Sequence, residues 1–173
     1  MPRRLLFVHG AGGEDEDRPL AHAFGDRLDA TLDYPVIPAD DMSLPTWAAA
    51  IRDRLTGLSA SDLVIAHSFG ASVLLHVLAA ESRVLPPVVA LAMPDWGPDG
   101  WDVADYAFDG PEPSATLTLH HCRDDAEVPF AHLALNAARL PSARVVTHDT
   151  GGHQFDGQAV SYTHLRAHET RHD

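Results

Sequence analysis

The chain contains no lysine, since all twelve of its Lys-plus-Arg positions are Arg. That absence removes whole chemistries: a phosphate-cradling lysine, a Schiff base to a carbonyl or pyridoxal group, and a Ser-Lys dyad all need the ε-amine. Cysteine is nearly missing too. A lone Cys122 cannot close an internal disulfide or build a thiolate zinc cage, so a reducing, cytoplasmic setting is expected. Long apolar runs are also lacking. Leu5 to Val8, behind Arg3 and Arg4, is too short for a signal peptide, and the longest run, Val84 to Met93, is broken by Pro86-Pro87. Neither approaches the roughly 20 residues of a spanning helix, so no membrane association is expected. Positive charge is scarce as well. With 25 Asp and Glu against 12 basic residues the net charge is -13, which repels nucleic-acid backbone and anionic membrane alike.

What is present suits one folded domain. An apolar content of 45% over 173 residues is enough for a core and lies far from the composition of disordered chains. Arg without Lys, with abundant Ala, Gly, Pro and Asp, looks like coding from a GC-rich, bacterial genome.

Short apolar runs alternate with helical patterns, the rhythm of an α/β protein. The expected fold is a mostly parallel sheet of about six strands with helices on both faces. Strand candidates are Leu5 to Val8, Pro35 to Ile37, Leu63 to Ala66, Val88 to Ala92, Thr116 to His120 and Arg144 to Thr147, most of them without the polar alternation of a half-exposed strand. Helical stripes run through Leu20, Phe24, Leu28 and Leu32, through Trp47, Ile51, Leu55 and Leu58, through Val73, Leu74, Val77 and Leu78, and from Phe130 to Leu140. Asp95 to Pro113 interrupts this order with three Pro, three Gly, two Trp and six acids, and its aromatics favour a packed excursion over a disordered one. From Val160 the chain turns polar and His-rich, and VSYTHLRAHET resembles the translation of a sequencing adapter. The domain is therefore drawn over residues 1–159, with 160–173 expected to be a non-native or disordered tail.

The chemistry starts at Ala66-His67-Ser68-Phe69-Gly70, a serine between a strand candidate and a helix candidate with small residues at minus two and plus two. A chain that reverses this tightly holds its serine in a strained conformation and leaves no room for bulky flanks, which is the form of a nucleophile elbow. The plainer reading of Ser68 is a helix cap. His9-Gly10-Ala11-Gly12-Gly13 follows the first strand and can aim backbone N–H groups at a developing oxyanion, with Ala11 and Phe69 as the two donors. His9 itself reads as structural, holding the turn. The loop matches no phosphate-binding pattern, and the Glu14-Asp15-Glu16-Asp17 run behind it reads as a solvated loop that would disfavour anionic substrates. His153, in the glycine-containing loop after the last strand, can reach Ser68 from above the sheet as a general base. His120 and His121, as neighbours in a strand, point to opposite faces, and no H-E-x-x-H spacing occurs, so neither metal nor cofactor is expected.

In chain order these residues resemble the alpha/beta-hydrolase superfamily over nearly all of residues 4–157, and the short length, the helix around Trp47 and the lack of a large lid are similar to the small single-domain serine hydrolases of the retinoblastoma-binding-protein-nine type. The resemblance implies Ser68 as nucleophile, His153 as base, and Ala11 and Phe69 amides as oxyanion donors. D-x-x-V-P at 125–129 resembles the acid turn, which implies Asp125 as the acid; Asp124, read as solvent-facing, and Asp95 are its understudies. The activity implied is a serine hydrolase of the carboxylesterase type, acting through an acyl-enzyme on a small-molecule ester. Trp96 and Trp101 would then wall an apolar acyl pocket, or simply pack. A non-catalytic binding protein on the same fold, and a cofactor-free perhydrolase with the same triad, remain open. The superfamily ends on a helix that packs on the sheet; with the adapter-like tail in its place, one sheet face is expected to lie bare.

Overall fold

The structure is a computed structural model that describes residues 2–158. Its elements are β1 (Arg4–Val8), α1 (Glu14–Arg27), β2 (Thr31–Asp33), α2 (Leu44–Leu55), β3 (Leu63–His67), α3 (Phe69–Ala79), β4 (Val88–Leu91), β5 (Leu117–Cys122), α4 (Ala131–Arg139) and β6 (Arg144–His148). All six strands pair in parallel, in the order β2-β1-β3-β4-β5-β6. Parallel strands need crossover connections, and helices or long segments supply them. The chain moves outward from β1 to β2, then returns to the other side of β1 as β3. This reversal leaves a crevice beyond the C-terminal ends of β1 and β3, where open α/β sheets bind ligands.

Side chains along β1 alternate between two cores, as a strand covered on both faces requires. Leu6 and Val8 join Trp47, Ile51 and Leu55 of α2, Val73 and Leu74 of α3, and Leu133 next to β5. Leu5 and Phe7 join Ala21 and Phe24 of α1, Ile65, Leu91, Cys122 and Phe155. Helices thus cover both faces, as expected.

The second strand is displaced from its expected place. β2 is Thr31–Asp33, not Pro35 to Ile37. Pro35 has no N–H to give a ladder, and the N–H of buried Ile37 goes instead to His9 Nε2 at 2.9 Å. Leu32 accordingly belongs to β2 and not to the α1 stripe, which ends with the helix. Leu58 lies beyond α2 but packs into the same core. The run 14–17 is also no loop. It forms the first turn of α1, where four carboxylates complement the partial positive charge of a helix N-terminus.

The tail from Val160, with the bare sheet face expected of it, lies outside the described residues; on the α1 side, Val89, Leu91 and Cys122 are buried. No helix among the described residues is long and apolar enough to cross a membrane.

Candidate active site

Ser68 sits between β3 and α3 at φ 55° and ψ -124°, a conformation that a non-glycine residue holds only when its surroundings enforce it. The enforcement is visible. Its N–H donates to Leu91 O at 2.8 Å, and its carbonyl accepts from Ala71 N and Ser72 N, so the turn is bonded to the sheet on one side and to α3 on the other. Gly70 is required by contact: a Cβ there would stand 2.3 Å from His9 O and 2.8 Å from Val8 Cγ1. At minus two the methyl of Ala66 is accommodated in the core. The Phe69 N–H opens α3, and first-turn N–H groups have no acceptor inside a helix.

The glycine turn after β1 stands beside the elbow, with a Cβ built on Gly10 lying 3.3 Å from Ser68 Cβ. His9 holds that turn. Because its Nε2 accepts from Ile37 N, its Nδ1 carries the proton and donates to Gly10 O at 2.6 Å. The ring packs against Tyr34 and the edge of Trp47, at 5.8 and 5.5 Å between centroids. Its role is structural. Gly10, Ala11, Gly12 and Gly13 line one cleft with Ser68, Phe69 and His153.

His153 Nδ1–H donates to Asp125 Oδ2 at 2.9 Å, and the carboxylate is fully buried. Asp125 Oδ1 accepts the N–H groups of Glu127 and Val128, each at 2.9 Å, and His121 Nε2, which donates to Val128 O, lies 3.3 Å from Oδ2. Burial would raise the Asp125 pKa, but the bonds from His121, His153 and the two amides overcome it and hold the carboxyl well below the usual range. For His153 burial works against the cation, yet the Asp125 bond and charge, with Glu127 and Asp17, raise its pKa above the ordinary value. The ring's Nε2 faces Glu127 Oε2 at 3.2 Å. No hydrogen bond between Ser68 Oγ and His153 is present among the described residues.

The two understudies are occupied elsewhere. Asp124 is exposed, as expected, but it is not idle: its carboxylate accepts Gly151 N and Gly152 N at 3.3 and 2.8 Å and so clamps the loop that carries His153. Asp95 anchors the excursion, accepting Gly97 N at 2.8 Å and pairing with Arg139 at 3.1 Å.

Trp96 and Trp101 both line the cleft, and Trp96 is packed as well. Its Nε1–H donates to Ser72 Oγ, and its ring meets the edges of Phe69 and Tyr106. Trp101, 40% exposed, leans on Trp96 at 5.0 Å. The cleft measures about 300 Å³, near the lower end for small-molecule sites, and Glu16 and Glu127 also line it. Among the described residues no three His, Cys, Asp or Glu side chains converge as metal ligands. Burial first, then nearby Asp124, Asp125 and Asp156, push the Cys122 thiol up to about 12, which leaves it inert as a nucleophile.

Sequence reasoning missed Asp17 and His67. They form a buried pair, His67 Nδ1 to Asp17 Oδ2 at 2.9 Å, while His67 Nε2 reaches the backbone carbonyl of His153 at 2.7 Å. A signal was available. Asp17, Ala21, Phe24 and Leu28 share one helical stripe, so the acid lies on the inward face of α1.

No family model matches the chain, and no curated protein matches it. Solved structures do. The ydeN gene product of B. subtilis superposes with a TM-score of 0.80 at 16% identity, covering 97% of this chain and 99% of that one. Mouse alpha/beta hydrolase domain-containing protein 10 gives 0.76 at 14% identity over 98% and 90% of the two chains, and esterase PE8 gives 0.67 at 17% over 96% and 92%. Similarity at this level of identity carries the architecture.

Proposed function

On this alpha/beta-hydrolase fold we propose a serine hydrolase that cleaves small carboxylic esters through an acyl-enzyme, with Ser68 as nucleophile, His153 as base and Asp125 as acid. The observation that carries the reading is the convergence on one cleft of a strained serine and a buried carboxylate–imidazole pair, at the point where strand order reverses. His153 Nε2 takes the Ser68 proton as Oγ attacks the ester carbonyl. The Ala11 and Phe69 N–H groups receive the oxyanion, and the imidazolium returns its proton to the departing alcohol. Water then repeats the sequence on the acyl-enzyme and frees the acid.

Glu127 occupies Nε2 in the resting arrangement, and its side chain is 63% exposed, so rotation toward solvent opens the imidazole to Ser68. Asp125 keeps the tautomer correct by accepting the Nδ1 proton. Trp96 and Trp101 favour an apolar acyl or alkyl group, while Glu16 and Glu127 disfavour an anionic one. The binding-protein reading draws on the same Glu127 contact, which would persist in a non-catalytic site. Fluorophosphonate labelling separates the two. Labelling that disappears in Ser68→Ala supports the hydrolase, and a folded chain that never labels supports the binding protein; a panel of ester chain lengths then defines the acyl pocket.

A further inference from the structure

Three parts of the proposed site come from different segments: the elbow follows β3, the glycine turn follows β1, and the base stands in the loop after β6. Their relative placement must hold within fractions of an ångström for attack to occur. Asp125 and Asp124 anchor the base loop to the turn after β5, but neither reaches the elbow or the glycine turn.

The group that reaches all three is the Asp17–His67 pair. His67 immediately precedes Ser68 in the chain. Its Nδ1 lies 2.9 Å from a carboxylate oxygen of Asp17, and its Nε2 lies 2.7 Å from the backbone oxygen of His153. Both partners can only accept, so both ring nitrogens must donate. The arrangement thus calls for an N–H on each ring nitrogen. The same Asp17 oxygen also accepts Gly10 N at 2.8 Å, in the glycine turn. The two side chains are 2% and 1% exposed, and the rings of His67 and His153 lie 4.6 Å apart. A buried ion pair is costly to desolvate and is weak evidence of stability, whereas a pair bonded to three separate segments fixes their geometry.

We infer that Asp17 and His67 are positioning residues for the proposed hydrolysis, a second buried acid–imidazole pair that sets the His153 main chain and the Gly10 turn relative to Ser68. The inference rests on the hydrolase reading for its catalytic consequence but not for the state of the pair. His67 does not touch substrate; it acts through His153 and through Ser68.

The test has two arms. Ring-nitrogen NMR of the histidine-labelled wild-type protein at neutral pH is expected to show both nitrogens of His67 protonated, and a bare nitrogen on that ring overturns the inference whatever the activity. Asp17→Asn keeps the shape and removes the charge. Its ester turnover, counted per serine titrated by a fluorophosphonate, is expected to show kcat lowered about 10- to 100-fold with KM within about twofold. A merely structural pair would lower the melting temperature and the titrated fraction but not kcat per active serine, and that outcome rejects the positioning role. If Asn at 17 prevents folding, the ring spectra decide. A wild-type protein that neither labels nor turns over any ester overturns the hydrolase reading instead, and leaves the first arm intact.

Discussion

Glu127→Gln should move the acidic limb of the kcat/KM profile to lower pH. A base works only in its neutral form, and the Glu127 carboxylate stabilises the cation of His153 across 3.2 Å. Removing that charge lowers the imidazole pKa, so the neutral base persists into more acidic solution. In the dielectric of water the attraction of two unit charges at this distance is about 1.3 kcal/mol, or about one pH unit. Glu127 is 63% exposed, so screening by salt and motion of its side chain reduce the effect, and a shift of about 0.4 to 1 unit is expected. The assay is hydrolysis of a neutral ester over a range of pH at low ionic strength, wild type against Glu127→Gln, repeated in high salt. High salt should carry the wild-type limb toward that of the variant. A limb that stays in place, or moves to higher pH, would refute the placement of Glu127 against the imidazole of His153 as the proposed base.

Four further outcomes follow from the geometry. Asp125→Asn should lower kcat by about 10³- to 10⁴-fold, because an amide can present an N–H to His153 Nδ1 and favour the wrong tautomer; ester turnover by the purified variant checks it. Gly70→Ala should destabilise the fold by about 2–4 kcal/mol, read as a lower urea midpoint, since its methyl would meet the His9 carbonyl at 2.3 Å. The lowered carboxyl pKa values of Asp125 and Asp17 contribute stability that is present above about pH 4 and lost as pH falls through their folded values, while the raised pKa of His153 contributes stability present below about pH 6.5 and lost as pH rises through its folded value. The melting temperature should therefore fall on acidification, and more shallowly in a folded Asp125→Asn variant. Esters with an anionic acyl group should show a higher KM than neutral esters of equal size, because Glu16 and Glu127 line the cleft, and added salt should narrow the gap.

Local spacing made much of this legible in the sequence. The elbow reads from small residues around a serine, because the steric demand that selects them acts within five residues. The six-strand sheet reads from uninterrupted apolar runs, because strands buried on both faces have no polar side to show. Where a run owed its apolarity to something else, the reading slipped: Ile37 is buried in the core with its N–H given to His9, and Pro35 cannot pair, so the true second strand is the less apolar Thr31–Asp33. Asp17 was hidden for a different reason. Three neighbouring acids disguised it as part of a solvated run, and its partner lies fifty positions away, a separation that no local pattern reports. Glu127 was equally hidden, since its contact with His153 depends on how two loops approach above the sheet.

The excursion at 95–113 has its own foundations. Asp95 ties it to Arg139, Trp96 to Ser72, and the Tyr106 hydroxyl to the carbonyl of Met42; none of these anchors belongs to the turns that carry Asp125 or His153. The segment thus stands apart from the loops of Asp125 and His153 but leans on α3, the helix that opens directly after Ser68. Its exchange would leave the loops of Asp125 and His153 their own bonds but would disturb the packing of Phe69 beside Ser68. On the proposed hydrolase reading, a different wall on the same Asp95 and Ser72 footings would alter the acyl preference, and it would reach the elbow only through Phe69 and Ser72.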